Sequence, residues 1–244
     1  MIEGLFSAAA GMAAQQEQMN AISNDLANVN TTGYQSERVA FNDLLYSPVK
    51  MAGSESASGA GASARVIGRS EAQGTLQETG NPLDLAIEGP GYFQVTRANG
   101  KLALTRNGTF GVDASGTLVN SEGNRLAPPI KLPKGVSPSE VRISSSGEVT
   151  AGTRKLGQIK LVTVTSPEHL LADGGSELSP TAQSGTPHAA SGQIHQGALE
   201  SSNVDIGRDM TQLVSTERAY QLTSTAIQDE SQMMSIANSL RSGS

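Results

Sequence analysis

The sequence predicts an α+β protein: long N- and C-terminal helices forming a coiled-coil-like pair around a middle antiparallel β-rich domain. Three observations carry that expectation. Near the N-terminus, Leu5, Ala8, Met12, Gln15, Met19, Ile22, Leu26 and Val29 recur at alternating steps of three and four, which is a heptad stripe with one polar member. Near the C-terminus, Ile206, Met210, Leu213, Tyr220, Ile227, Met234 and Ala237 form a second stripe, with Glu217, Ser224 and Ser231 at its intermediate positions. Between them, short aliphatic runs alternate with Asn-Gly and Ser-Gly turn signals, as antiparallel strands do.

The first helix would run for about 27 residues, or about 40 Å at 1.5 Å per residue. Asn30-Thr31-Thr32-Gly33 supplies its stop, with Gly33 free to adopt positive φ. The second starts after Asn203 or Asp205, either of which is a capping residue, and meets no Gly or Pro from Arg208 to Arg241. Both stripes are weak. Ala, Ser and Gln at seam positions bury little surface, so each helix needs neighbours on more than one side. A hairpin of the two helices on the chain's own core is the simpler use of the same pattern.

The terminal assembly domain is therefore expected at 1–45 plus 200–244. Residues 46–75 read as a linker, because the run from Gly53 to Ser63 holds only Gly, Ser, Ala and one Glu and lacks apolar bulk. Residues 76–199 form the β-rich domain, with strands around Leu83–Ile87, Phe93–Val95, Leu102–Leu104, Phe110–Val112, Leu118–Val119, Val141–Ile143 and Ile159–Val164. Asn99-Gly100 reads as a hairpin turn. Ser176 to Gln193, with Pro180 and Pro187, reads as a second loose stretch. Short, evenly punctuated strands favour a small barrel or sandwich over βαβ units.

Composition narrows function mainly by exclusion. Hydrophobic residues make up 36% of the 244 and aromatics 3%, lean for one large core. The net charge of −6, with no basic cluster, offers no footprint for nucleic acid or an anionic membrane. The absence of cysteine removes disulfides, thiolate catalysis and Cys-bound zinc. The N-terminus lacks the basic and apolar regions of a secretory signal, and no run approaches the roughly 20 apolar residues of a membrane span. Alone, that reads as cytoplasmic.

A search for chemistry gives little. His169, His188 and His195 lie in loop-like sequence at no metal-binding spacing. Asp84, Glu88 and Asp113 sit near strand ends, where turn and edge roles outnumber acid–base pairs. No nucleophile elbow or phosphate loop occurs. Gly59-Ala60-Gly61-Ala62-Ser63-Ala64 fits a loose dinucleotide pattern but follows no strand and opens no helix. No enzyme activity and no cofactor are expected.

Four stretches, in order, resemble the flagellar rod–hook family of axial proteins. They are Asn24-Asp25-Leu26-Ala27-Asn28-Val29-Asn30-Thr31-Thr32-Gly33-Tyr34, then Leu83 to Phe93, then Thr105-Arg106-Asn107-Gly108-Thr109-Phe110 through Leu118-Val119, and finally Gly197-Ala198-Leu199-Glu200-Ser201-Ser202-Asn203-Val204-Asp205 with Glu217-Arg218-Ala219-Tyr220. The resemblance implies a helical inner layer made by both termini and an outer β domain. It also implies export through the flagellar type III apparatus without a cleaved signal, and helical polymerisation into the shaft that crosses the periplasm and encloses the export channel. The implied partners are further copies of the chain, neighbouring rod and hook proteins, and the surrounding bushing rings. Packing would be carried by Leu5, Met12, Met19, Ile22, Leu26 and Val29 on one helix and by Ile206, Met210, Leu213, Tyr220, Ile227 and Met234 on the other.

The segment from Tyr46 to Arg69 resembles the extra segment of the distal rod members, which implies that Lys50 to Val66 stiffens the rod. The chain departs from the family pattern at Glu217, Thr225 and Arg208-Asp209, where Gln, Lys and paired acids are often found. The alternatives are a proximal rod or other hook–basal-body paralogue, or a module binding a polysaccharide. The last would need an aromatic platform, and the chain has four Tyr and four Phe.

Overall fold

The computed structural model describes residues 2–44, 46–51, 54–59 and 61–242, with only the backbone described at 2–3, 46–51, 54–59, 237–238 and 241–242. Two long helices bracket an antiparallel β-rich middle, as the sequence predicts. The chain divides into two compact units, one of residues 1–26, 37–67 and 205–244, the other of residues 27–36 and 68–204.

The first unit holds both helices. Helix α1, Ile2–Ala27, is 26 residues long and draws on Ala, Leu, Met, Gln and Glu, which favour helix. It stops where expected. The Thr31 N–H donates to the Asn28 carbonyl at 3.0 Å, and Gly33 takes a φ of 66°. Helix α2, Ile206–Ser242, spans 37 residues. Asp205 is its cap, with Oδ1 accepting the Arg208 N–H at 3.1 Å, and Asp209 in the first turn complements the helix dipole.

The expected linker carries strands instead. Residues 37–43 pair with 62–69, and 46–51 pair antiparallel with 54–59, from Tyr46↔Gly59 to Met51↔Ser54. Positions 52, 53 and 60, included in the linker reading, lie outside the described residues. Composition misled because a two-stranded ladder is built from backbone N–H and C=O groups, which Ser, Gly and Ala carry like any other residue.

In the second unit, the main antiparallel sheet runs in the order 171–172, 177–179, 102–105, 92–96, 125–126, 118–120, 110–112. Strand 161–163 joins it at 92–93 and carries 188–189. A three-stranded sheet of 141–143, 148–151 and 154–158, and two ladders, 85–88 with 193–196 and 76–78 with 198–200, complete the unit. Asn99-Gly100 is the hairpin turn, with the Gly100 N–H bonded to the Arg97 carbonyl at 2.9 Å and φ at 78°.

Leu85, Ile87, Phe93, Val95, Phe110, Leu118, Leu126, Val149 and Ile159 form one continuous core. Each contributes about 1.5–3 kcal/mol by leaving water. Phe93 and Phe110 meet edge to face at 5.3 Å.

Ser176–Gln193, read as loose, is anchored by a residue that periodicity cannot flag. Glu177 is 2% exposed. Its carboxylate accepts from Asn120 and Asn124 at 2.7 Å each and from Arg97 Nε at 2.7 Å. Arg97 also bonds Asp173. A buried charge survives when its partners are complete, and here they fasten residues 173–179 to the turns at Arg97 and Asn120.

Candidate assembly faces and the motif joint

The two helices place the expected packing residues unevenly. Along α2 a covered line runs through Asp209, Leu213, Thr216, Tyr220, Thr223, Ile227, Glu230 and Met234, alternating four and three, with Ala219 and Ser224 half-buried beside it. Leu213, Tyr220, Ile227 and Met234 lie on this line. Ile206 and Met210 do not, being 49% and 54% exposed. The side chain of Ala237 lies outside the described residues. The threonines fit the line because their hydroxyls bond back to their own helix: Thr216 donates to the Gln212 carbonyl at 2.8 Å and Thr223 to that of Ala219 at 2.9 Å. A second apolar stripe faces outward, with Leu222, Met233, Ile236 and Leu240 all exposed.

On α1 the covered line is Ser7, Gly11, Ala14, Gln18, Ala21 and Asp25, with Ala14, Ala21 and Asp25 buried. Leu5, Met12, Met19 and Leu26 are half-buried flanks, and Ile22 is buried. Val29 is half-buried beyond the helix end. Ser7, Gly11, Ala14 and Ala21 on this line are small, whereas Gln18, Asp25 and the neighbouring Ile22 are not. A Cβ on Gly4 would lie 3.5 Å from the Glu230 carboxylate of α2.

In the second unit, residues from all four motif stretches meet in one buried polar joint. Arg106 Nη1 donates to both Glu200 carboxylate oxygens, at 3.2 and 3.1 Å. Its Nη2 donates to the Gly89 carbonyl at 3.0 Å, and its guanidinium lies 5.5 Å from the Tyr92 ring centre. Arg106 is 5% and Glu200 2% exposed. Glu200 also accepts the Gly74 N–H at 2.9 Å, and its own carbonyl accepts the Gly33 N–H at 2.8 Å.

Gly33 is fixed by contact as well as by φ, since a Cβ there would stand 2.5 Å from Arg106 and Asn107 backbone atoms. The Asn107-Gly108 pair is no hairpin turn, because Gly108 passes so close to the Leu85 carbonyl that a Cβ would overlap it at 1.5 Å. Asn203 completes the joint. Its Oδ1 accepts the Ser36 N–H at 2.7 Å, and its Nδ2 donates to the carbonyls of Ser70 at 3.2 Å and Ala72 at 2.7 Å.

Other candidates resolve into local roles. Asp84 accepts from Thr79 and Asn81 at 2.7 and 2.9 Å, and Asp113 holds the turn at Ser115 and Thr117 at 2.8 Å each. His195 Nε2 pairs with Glu88 at 2.5 Å on an exposed ladder, while His169 and His188 are exposed. In the second unit an aromatic platform gains no support, since its aromatics Tyr34, Tyr92, Phe93 and Phe110 are all buried.

Three family models match: "Flagella basal body rod protein" over residues 5–35, "Flagellar hook protein FlgE/F/G D1 domain" over 86–151, and "Flagellar basal body rod FlgEFG protein C-terminal" over 195–240. The flagellar basal-body rod protein FlgG of Borreliella burgdorferi is 35% identical over 99% of both chains. That of Caulobacter vibrioides is 35% identical over 99% of this chain and 100% of its own. The FlgG of Bacillus subtilis is 32% identical over 93% and 94%. The chain belongs to the flagellar basal-body rod protein family.

As a rod-family protein it is a structural subunit of the motility apparatus. None of its described helices is long and apolar enough to cross a membrane. The three matched segments each supply part of the joint: Gly33, Tyr34 and Gln35 from the first, Tyr92 and Arg106 from the second, Glu200 and Asn203 from the third.

Burial pushes the Tyr92 phenol above its ordinary 10.0, against the opposing pull of Arg106. A raised acid favours the protonated folded form, so this contribution to stability is intact below pH 10.0 and is lost as pH climbs through the raised value. Tyr92→Phe is therefore expected to blunt the alkaline fall in Tm above about pH 10. Near neutrality it should cost no more than about 1 kcal/mol, since the hydroxyl bond to Gln35 is long at 3.4 Å. Melting curves across pH check both, and an unchanged alkaline limb would count against the assignment.

Proposed function

We propose that this chain is the distal rod subunit, polymerising helically through α1 and α2 into the shaft that transmits torque and encloses the export channel. The observation that carries this reading is the double character of α2, which has a covered heptad line and a separate exposed stripe at Leu222, Met233, Ile236 and Leu240. A helix with two apolar faces needs a partner for each. The covered line suits a coiled-coil-like pairing with α1, and the outer stripe suits a neighbouring subunit. Such contacts are heterologous and do not close on themselves, which generates a filament.

The distal assignment draws on relatives named FlgG and on the segment 46–69, whose strands suit an ordered contact that stiffens the rod between Lys50 and Val66. In this reading the helical termini form the inner assembly layer and the β-rich middle faces outward, towards the bushing rings. The packing residues are those named on both helices, with Leu222, Met233, Ile236 and Leu240 added. The subunit leaves the cell through the flagellar type III apparatus and meets other rod proteins below and hook proteins above.

Electron microscopy of basal bodies from a strain lacking the chain tests the assignment. The expected result is a short rod stub without a hook. Absence of any rod would move the chain to the proximal position, and complete basal bodies with normal motility would end the structural reading.

A further inference from the structure

The chain passes between its two units four times, at 26/27, 36/37, 67/68 and 204/205. Three of these crossings are tied together on the β-unit side by one side chain. Asn203 stands two residues before the last crossing. Its Oδ1 takes the N–H of Ser36, the last β-unit residue before the second crossing, at 2.7 Å. Its Nδ2 holds the carbonyls of Ser70 and Ala72, just after the third, at 3.2 and 2.7 Å. The segments it gathers also bond one another: the Ser70 N–H donates to the Ser36 carbonyl at 2.8 Å, and the Asn203 N–H to the Tyr34 carbonyl at 3.3 Å. Arg69 reinforces the cluster, with Nη1 on the Gln35 carbonyl at 2.9 Å and its guanidinium 5.1 Å from the Tyr34 ring centre.

We propose that Asn203 is the positioning residue that fixes the directions in which three chain segments leave the β unit, and so sets how stiffly that unit is held to its own helices. The amide is suited to this because it presents an acceptor and a two-proton donor from one rigid plane. Aspartate keeps only the acceptor and turns a carboxylate towards two carbonyls. Alanine removes both functions. Without the side-chain amide the segments keep the Ser70–Ser36 and Asn203–Tyr34 backbone bonds and the Arg69 contact; the amide adds the bonds that join all three at one point.

The consequence for function rests on the rod reading. A shaft subunit whose β unit swivels cannot pass torque between its layers without bending.

Hydrogen exchange on the purified full chain tests the clamp without reference to the rod. In Asn203→Ala the Ser36 amide, which donates to the Asn203 Oδ1, is expected to exchange roughly five- to tenfold faster, the factor for one lost hydrogen bond. The Ser70 amide, which donates to the Ser36 carbonyl, is expected to loosen as the segments part, while amides of the 92–96 and 102–105 strands keep their protection. Asn203→Asp keeps the acceptor for Ser36 and should leave that amide protected, yet loosen the Ser70 segment, because the carboxylate offers no donor to the Ser70 and Ala72 carbonyls. That difference between variants is what a general loss of stability would not produce. If Ser36 and Ser70 stay protected in both variants, or if the core strands loosen equally, the clamp is overturned.

The second arm images basal bodies carrying Asn203→Ala. Bent or kinked rods are expected. Straight rods with wild-type torque would overturn the mechanical consequence even if the exchange result held. Absence of the unmodified chain from wild-type basal bodies would instead remove the rod reading and leave the exchange result standing.

Discussion

Glu200→Ala is expected to destabilise the β unit by about 3–5 kcal/mol, because it leaves the Arg106 guanidinium buried and without its carboxylate. Folded domains hold only about 5–15 kcal/mol in total, so this is enough to leave the variant poorly folded at growth temperature. The loss is larger than that of an ordinary hydrogen bond for two reasons. The same carboxylate also satisfies the Gly74 N–H, and neither charged group can turn to water at 2% and 5% exposure.

Replacing both partners separates the pair from its surroundings. Arg106→Met with Glu200→Leu should recover a large part of the single-mutant loss, since an apolar pair of similar size carries no unpaired charge. Urea denaturation of the single and double variants measures it. A Glu200→Ala cost below about 1 kcal/mol would show that water reaches the joint and that the pair behaves like one on the surface.

The second large effect falls on assembly and spares the fold. Leu222 is 73% exposed, so Leu222→Asp should change the stability of the isolated chain by no more than about 0.5 kcal/mol. In a filament the same carboxylate would enter a dry contact at a cost of several kcal/mol, and incorporation into basal bodies and swimming should both be lost. Ile227→Asp, on the covered line of α2, should block assembly and also loosen the helix in the free chain. Circular dichroism of the two purified variants, set beside their recovery in basal bodies, distinguishes the faces. Normal incorporation of Leu222→Asp would remove the outer stripe from the assembly surface.

Much of the fold was legible because it rests on local signals. Heptad spacing gave both helices, Gly33 gave the end of α1, and Asn99-Gly100 gave a hairpin that the register Thr96↔Leu102 reproduces. What could not be read was long-range. Nothing near Glu177 announces that it is buried, because its partners Asn120, Asn124 and Arg97 lie far along the chain. The strands at 46–51 and 54–59 were hidden by a composition that says nothing about backbone pairing.

On α1, the apolar stripe was located by residue size. The covered line passes instead through Gly11, Ala14 and Ala21, which are too small for that criterion to mark. For the joint, the motifs supplied Gly33, Gly89, Tyr92, Arg106, Glu200 and Asn203 but none of their contacts, and Ser36, Ser70, Ala72 and Gly74 lie outside the motifs. Arg106 and Glu200, 94 residues apart, acquire their meaning only from the fold.

That separation says something about how such a chain tolerates growth. The joint fixes a few short stretches and is indifferent to the length of chain between them, provided each excursion returns to its anchor. Between Ser36 and Ser70 the excursion is the β-ladder segment, which supplies none of the described core; between Phe110 and Gly197 it carries Leu118, Leu126, Val149 and Ile159 of that core. The first excursion can therefore be lengthened, trimmed or replaced as an interchangeable attachment, whereas the second must keep its core-facing strands, and the points to watch for intolerance are the return addresses: Ser36, Ser70, Arg106 and Glu200.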